Sequence, residues 1–238
     1  MDTNNNGYTL VYAAIMVVVV AFMLVLVSGA LKSTQESNVK LDKKKQILSS
    51  LKINTEGLDA AALYDKYIAK AMIVNTKGEV VSGSREEAFD IDMGKELSKK
   101  AESRRLPVFI ANIDGKTKYI VMLRGTGLWG PIWGYISLDD DKNTVYGVYF
   151  SHASETPGLG ANITEQPFRS QFVGKHILND KNKFVSIAVM KSGKTAVGKE
   201  QVDAISGGTI TSKGVESMLL NCIGQYDQFF KQTSGGDK

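Results

Sequence analysis

The sequence has few of the residues that build metal, disulfide or iron–sulfur sites. Its 238 residues include one cysteine and two histidines. One cysteine excludes a disulfide framework, a CxxC redox pair and a cysteine-ligated iron–sulfur cluster, and two histidines argue against a multi-histidine metal site. The net charge of +4 is small, so we expect no nucleic-acid partner. Apolar residues at 43% and charged residues at 23% exclude a disordered or collagen-like chain.

One long segment, Tyr8–Ala30, contains no charged residue. As a helix it would be about 34 Å long, enough to cross a hydrocarbon core of about 30 Å. A cleaved signal peptide is the alternative, but nothing basic precedes the run, and the run is longer than such peptides use. We predict residues 1–7 as a tail, 8–30 as a transmembrane helix and 31–57 as a connecting helix or linker. Lysines follow the span, which favours a cytoplasmic C-terminal domain.

The remaining pattern predicts strands with flanking helices. Helical patterns cover Ser37–Ile53, with Lys43–Lys45 facing solvent, and Leu58–Lys70. The expected strands are a pair within Met72–Val81, then Pro107–Ile113, Lys118–Arg124, Ile132–Leu138, Val145–Phe150 and Phe184–Met190. The strongest helix carries apolar residues at helical spacing: Val215, Met218, Leu219, Cys222, Ile223, Tyr226, Phe229 and Phe230. The fold class is therefore α+β, a transmembrane helix followed by a twisted, mainly antiparallel sheet with flanking helices.

Two glycine-rich loops could carry chemistry. Gly125–Gly134 contains Trp129 and Trp133 but leads into a strand, so it fails as a dinucleotide-binding turn, and a tight aromatic-packed turn is the alternative. In the second loop, His152 and Glu155 could be an acid–base pair or two metal ligands. Two groups from one loop are too few for a site, and the alternative is a hydrogen-bonded surface histidine.

A third loop, Asp203–Ser212, runs directly into the last helix. It supplies four hydroxyls, those of Ser206, Thr209, Thr211 and Ser212. Hydroxyls before a helix are ordinary N-caps, but one or two suffice for that purpose. Unpaired N–H groups and the positive dipole end at a helix N-terminus also favour phosphate. The loop therefore indicates a phosphate-bearing ligand, with simple capping as the alternative.

Together these loops resemble a known family. Asp203-x-x-Ser-Gly-Gly-Thr209-x-Thr211 resembles the covalent flavinylation motif D-x-x-(S/T)-G-A-T-x-(T/S) of FMN-binding domains, with Gly208 where alanine is usual. Three further elements are similar to those of the same proteins: ETPGLG at Glu155–Gly160, G-L-W-x-x-x-x-G at Gly127–Gly134 and F-x-G-K at Phe172–Lys175. An N-terminal anchor followed by these elements resembles the C subunits of sodium-translocating NADH:quinone reductases, whose close relative is the Rnf G subunit.

The resemblance implies a covalent FMN. Its phosphate would form an ester with Thr209, or otherwise with Thr211, installed from FAD by a flavin transferase that recognises Asp203. Ser206 and Gly207 would shape the turn, and Glu155 would anchor its own loop. The residues implied around the isoalloxazine ring are Thr156, Gly158, Leu159 and, less directly, Trp129 and Trp133. No residue is expected to be catalytic.

The resemblance also implies a place and a role. Region 58–238, with an FMN-binding domain at about 106–230, would be periplasmic at a bacterial inner membrane. This opposes the lysine count, but long domains translocate largely regardless of charge. The flavin would relay electrons among membrane subunits of the complex, and the chain alone would lack NADH dehydrogenase activity because it has no Rossmann or P-loop motif. The alternatives are an Rnf-type or extracellular electron-transfer subunit and a non-redox anchored scaffold.

Overall fold

The computed structural model describes residues 6–233. Most of the predicted tail and the last five residues of the chain lie outside the described residues. Among residues 6–233 one helix, α1 (Asn6–Ser50), is long and apolar enough to cross a membrane by length and composition. The helix predicted separately from Ser37 is the continuation of α1, because no glycine or proline interrupts residues 30–50.

The chain divides after Lys43 into two compact units. The second unit contains the last turns of α1 and all the other elements. In chain order these are α2 (Ala60–Tyr67), β1 (Ile68–Val74), β2 (Val80–Ser82), α3 (Arg85–Asp90), α4 (Met93–Leu97), β3 (Leu106–Ile113), β4 (Lys116–Thr126), β5 (Pro131–Leu138), β6 (Val145–His152), α5 (Gln166–Arg169), β7 (Ala188–Met190), β8 (Gln201–Asp203), α6 (Thr209–Ile223) and α7 (Asp227–Thr233).

Six strands form one antiparallel sheet in the order β2-β1-β3-β4-β5-β6. Every neighbouring pair runs antiparallel, which together with the long N-terminal helix confirms the predicted fold class. The β3–β4 hairpin turns at Asp114 and Gly115, both with positive φ, which is the two-residue turn that matches strand twist. The first two glycine-rich loops follow β4 and β6 of this sheet, and the third follows β8 of a separate two-stranded sheet.

The sheet is covered on both faces. Gly125 in β4 faces α6, since a Cβ there would lie 2.8 Å from Cβ of Met218. Arg124, the preceding residue, and its partner Trp133 in β5 therefore face the opposite side. On that side the indole of Trp133 donates to Oε1 of Gln46 at 3.2 Å, and Ser137 donates to the carbonyl of Ser50. The end of α1 is thus part of the folded core.

Two predicted boundaries and one predicted exposure are wrong. The helix predicted to Lys70 ends at Tyr67, because β1 starts at Ile68 to pair with β3. The strand predicted from Phe184 begins only at Ala188, since Ser186 adopts a left-handed φ of 61° that interrupts extended backbone. The lysine run is not simply solvated either, because the amine of Lys44 lies 5.3 Å from the centre of the Tyr64 ring.

The C-terminal region confirms the apolar periodicity. All eight apolar residues predicted from it are buried, none more than 6% exposed. The helix is not continuous, however, because a 3-10 turn at Gly224–Tyr226 separates α6 from α7. The sequence pattern did not predict β8, a three-residue strand that pairs in parallel with β7. This pair places Asp203 six residues before Thr209, the start of α6.

Candidate functional site

The three glycine-rich loops meet beside the start of α6, and the carboxylate of Glu155 joins them. Its Oε1 accepts a hydrogen bond from the backbone N–H of Trp129 at 2.8 Å, and its Oε2 accepts one from Oγ1 of Thr211 at 2.5 Å. Glu155 is only 5% exposed. A buried carboxylate is costly unless it is hydrogen-bonded, so these two bonds tie the β4–β5 turn, the loop after β6 and α6 to one point.

Two glycines make room for this carboxylate. A Cβ on Gly127 or on Gly160 would collide with an oxygen of Glu155, and one on Gly160 would also lie 2.6 Å from Oγ1 of Thr211. The same loops are further linked by Ser154, whose hydroxyl donates to the carbonyl of Trp129 at 2.9 Å. The glycines of these loops are thus needed for close packing around one buried acid.

The hydroxyls at the start of α6 differ in availability. Thr211 is 1% exposed and held by Glu155, and the buried Ser212 accepts a hydrogen bond from the N–H of Ile205 at 3.1 Å. Thr209 is the first residue of α6 and is buried less deeply than either, with Gly208 as its cap. Gly208 caps the helix without a side-chain hydrogen bond, so the first-turn N–H groups are available to an anion. Thr209 is therefore the hydroxyl placed beside that positive helix end.

The turn before Thr209 is exposed and shaped by glycine. Ser206 and Gly207 are exposed, and Gly207 has a φ of 73°, which favours glycine. A Cβ on Gly207 would lie 2.5 Å from Cδ2 of Leu159, so this turn packs against the second loop. At Gly208, where the related motif has alanine, an added Cβ would lie 3.0 Å from Cγ2 of Ile205, which already fills that space.

An exposed apolar surface surrounds the site. Its large members, each at least 42% exposed, are Leu128, Trp129, Leu159 and Ile210. Thr156 and Gly158 are exposed on the same turn as Leu159, whose N–H donates to the carbonyl of Thr156 at 3.1 Å. A flat apolar ring could pack on this surface while a phosphate lies at the start of α6. The residues present therefore fit a flavin mononucleotide.

The other predicted residues are placed apart or serve the framework. Trp133 lies on the face of the sheet away from α6, with the Arg124 guanidinium 5.7 Å from its ring, so the structure does not bring it to the site. Nδ1 of His152 accepts a hydrogen bond from the N–H of Glu155, so the histidine stabilises the conformation of its own loop. Phe172 is buried against Phe150. Asp203 is exposed at the end of β8.

Comparison with known proteins agrees with this geometry. The family model described as FMN-binding domain matches residues 127–224, which include the second and third loops and the first loop from Gly127 onward. The C subunit of the Na(+)-translocating NADH-quinone reductase of Vibrio anguillarum is 31% identical over 91% of this chain and 90% of its own. The chain belongs to this family of C subunits.

Solved structures of the same family share the fold. The crystal structure of the C subunit from Parabacteroides distasonis is 48% identical, covers 84% of this chain and 96% of its own, and gives a TM-score of 0.78. The structure of Shewanella oneidensis NqrC is 27% identical with a TM-score of 0.70 over 84% of this chain and 100% of its own. Sequence reasoning found the loops of this family, but it missed that Thr211 and Trp129 are the partners of Glu155.

Proposed function

We propose that the chain is a membrane-anchored subunit of a Na(+)-translocating NADH-quinone reductase and carries FMN covalently on Thr209. Membership of the family of C subunits and the FMN-binding domain match support the flavin. The observation that carries the attachment site is the contrast between two hydroxyls. Thr211 is buried and bonded to Glu155, whereas Thr209 stands at the first position of α6, where no side chain caps the helix.

The start of α6 supports a phosphoester at Thr209. A phosphodiester on its Oγ1 would carry a negative charge next to the unpaired first-turn N–H groups, and both the dipole and the donors stabilise an anion there. The isoalloxazine ring would lie against the exposed surface of Thr156, Gly158, Leu159 and Trp129. FMN supplies reversible one- and two-electron chemistry, while the protein positions the ring and sets its surroundings.

The segment before Thr209 suits recognition by a flavin transferase. Asp203, Ser206 and Gly207 are all exposed, so an enzyme could read them without unfolding the domain. Within this segment the N–H of Ile205 donates to Ser212, and after it Thr211 donates to Glu155. In the transfer, Oγ1 of Thr209 would lose its proton and attack the FMN-side phosphorus of FAD, the pyrophosphate bond would break, and AMP would leave. A preformed loop would guide this attack.

The surrounding complex follows from the same proposal. We infer that α1 anchors the chain in a bacterial inner membrane, that the folded unit is periplasmic, and that the flavin passes electrons between centres on other membrane subunits. The sequence has neither a Rossmann nor a P-loop motif, so NADH and quinone would react on those partners. The isolated chain should therefore not oxidise NADH.

Intact mass and in-gel flavin fluorescence of the denatured protein test the attachment. The full chain would be co-expressed with its flavin transferase as wild type, Thr209→Ala, Thr209→Ser and Thr211→Val. We expect wild type, Thr209→Ser and Thr211→Val to gain the mass of FMN less one water, and Thr209→Ala to gain nothing. Flavin kept by Thr209→Ala would refute the attachment residue. A colourless wild type beside an active transferase would favour a non-redox scaffold.

The complex assignment needs a separate experiment. Affinity purification of the full chain from its native membrane, followed by identification of the accompanying subunits, should recover NADH-quinone reductase subunits. Recovery of Rnf-type subunits, or of other extracellular electron-transfer proteins, would move the flavin carrier to those complexes. Protease treatment of spheroplasts would test on which side of the membrane the folded unit lies, because protease added outside digests a periplasmic unit.

A further inference from the structure

A cavity lies away from the proposed flavin site, between the end of α1, strand β6 and helix α5. Its volume is about 400 Å³, which is within the range of small-molecule sites. The residues that line it include two cations, Lys52 and Arg169, and no aspartate or glutamate. Its lining is therefore rich in donors and has no carboxylate to neutralise the two positive charges.

Arg169 has fewer partners than a half-buried guanidinium normally has. One of its terminal nitrogens donates to Oγ of Ser49 at 3.3 Å, and the Tyr149 ring lies 5.9 Å away. Its Nε–H is buried without any hydrogen-bond partner. Within residues 6–233 it forms no ion pair. Buried charges are normally paired, so the arginine lacks the anion that such a position calls for.

Lys52 is the second cation and occupies a backbone position that suits glycine. It follows the end of α1 with a φ of 62°, a left-handed conformation that costs a residue with a side chain. Its amine lies 4.5 Å from the centre of the Tyr146 ring. Burial lowers the pKa of this amine; Asp139 raises it, but Asp139 forms its ion pair with Lys118. A lysine thus occupies a position whose backbone conformation favours glycine, and no carboxylate of the described residues forms an ion pair with it.

The rest of the lining suits an organic phosphate rather than a bare ion. Ser49, Asn54 and Ser170 add polar groups beside the two cations, while Ile53, Val148 and Val173 form an apolar wall. Arginine and lysine together are a common pair for phosphate, one as a fork and the other as a point charge. The cavity is several times larger than inorganic phosphate needs, which leaves room for an apolar body.

We propose that this cavity binds a small organic phosphate monoester, with the phosphate between Lys52 and Arg169 and the organic part against the apolar wall. Such a ligand would give Arg169 its missing anion and would make use of the lysine that holds a glycine-like conformation. This inference is independent of the flavin, because none of the residues lining the cavity belongs to the three glycine-rich loops.

Isothermal titration of the full chain in detergent with phenyl phosphate tests the proposal. Wild type should bind saturably, and phenol, which lacks the phosphate, should not. We expect Arg169→Gln and Lys52→Gly to weaken binding about tenfold or more, because each removes a charge-assisted contact. Lys45→Gln is the matched control, since Lys45 is exposed on α1 and does not line the cavity.

Lys52→Gly separates a binding role from a structural one. Glycine relieves the left-handed strain, so this variant should fold at least as well as wild type and lose binding all the same. Weakened phenyl phosphate binding in a variant that melts at or above the wild-type temperature supports the proposal. No saturable binding to wild type, or equal binding by wild type, Lys52→Gly and Arg169→Gln, overturns it. Binding of vesicles containing phosphatidylglycerol, without binding of phenyl phosphate, would place the anion in a lipid and also overturn it.

Discussion

Replacing Glu155 should destabilise the domain, because its carboxylate links the three loops by hydrogen bonds. Glu155→Ala leaves two donors without their acceptor, the hydroxyl of Thr211 and the N–H of Trp129. A buried donor left unsatisfied costs about 1–3 kcal/mol. Thr211 is 1% exposed, so the loss of its acceptor should cost near the upper end of this range, whereas Trp129 is 65% exposed, so its N–H should cost near or below the lower end. We therefore expect Glu155→Ala to lower the free energy of unfolding by about 3–4 kcal/mol.

Glu155→Gln should cost less. The glutamine carbonyl can still accept from the N–H of Trp129, and its amide can donate to the oxygen of Thr211, so both contacts survive without charge. The loss of charge assistance is worth about 1 kcal/mol for each bond, which predicts a cost of about 1–2 kcal/mol. The order Ala worse than Gln follows from the geometry and does not depend on the absolute values.

Urea unfolding of the full chain in detergent, followed by tryptophan fluorescence, measures these costs, because both tryptophans belong to the folded unit. Glu165→Ala is the matched control, since Glu165 is exposed and makes no side-chain cap to α5. In a double-mutant cycle, Glu155→Gln should cost about 1 kcal/mol less in a Thr211→Val background. A Glu155→Ala cost within about 0.5 kcal/mol of the control, or zero coupling with Thr211, would refute the claim that Glu155 links the loops.

Three further predictions follow from local geometry. Gly207→Ala should destabilise the domain by about 1–2 kcal/mol in the same urea assay, through its positive φ and contact with Leu159. Burial raises the pKa of the Cys222 thiol to about 11, so stability should fall from about pH 9 towards pH 11 as the unfolded thiol ionises, and Cys222→Ala should reduce that fall. Burial raises the pKa of Glu200, but hydrogen bonds, first of all the one with His176, outweigh burial and lower the pKa overall. The free energy of unfolding should therefore fall as acid protonates Glu200. Glu200→Gln should reduce the decrease of the melting temperature at acidic pH.

Local residue patterns were enough to define the elements that depend on neighbouring residues. The uncharged run within α1, the alternating strands and the apolar spacing of α6 are of this kind, because helices and strands impose their own periods. Short motifs likewise located the three loops, since a glycine-rich turn and a hydroxyl-rich helix start are recognisable within about ten residues. The resemblance to the family of C subunits rested on the order of these motifs along the chain.

Which of these pieces meet depends on packing between distant parts of the chain. Glu155 and Thr211 are 56 residues apart, and only the packing of α6 against the sheet brings them into contact. Trp133 lies near Trp129 in sequence, yet strand alternation and the covering end of α1 direct it to the opposite face. The cavity between Lys52 and Arg169 depends on the same kind of long-range contact. The charge of each residue is visible in the sequence, but the absence of an ion-pair partner for it within residues 6–233 is not.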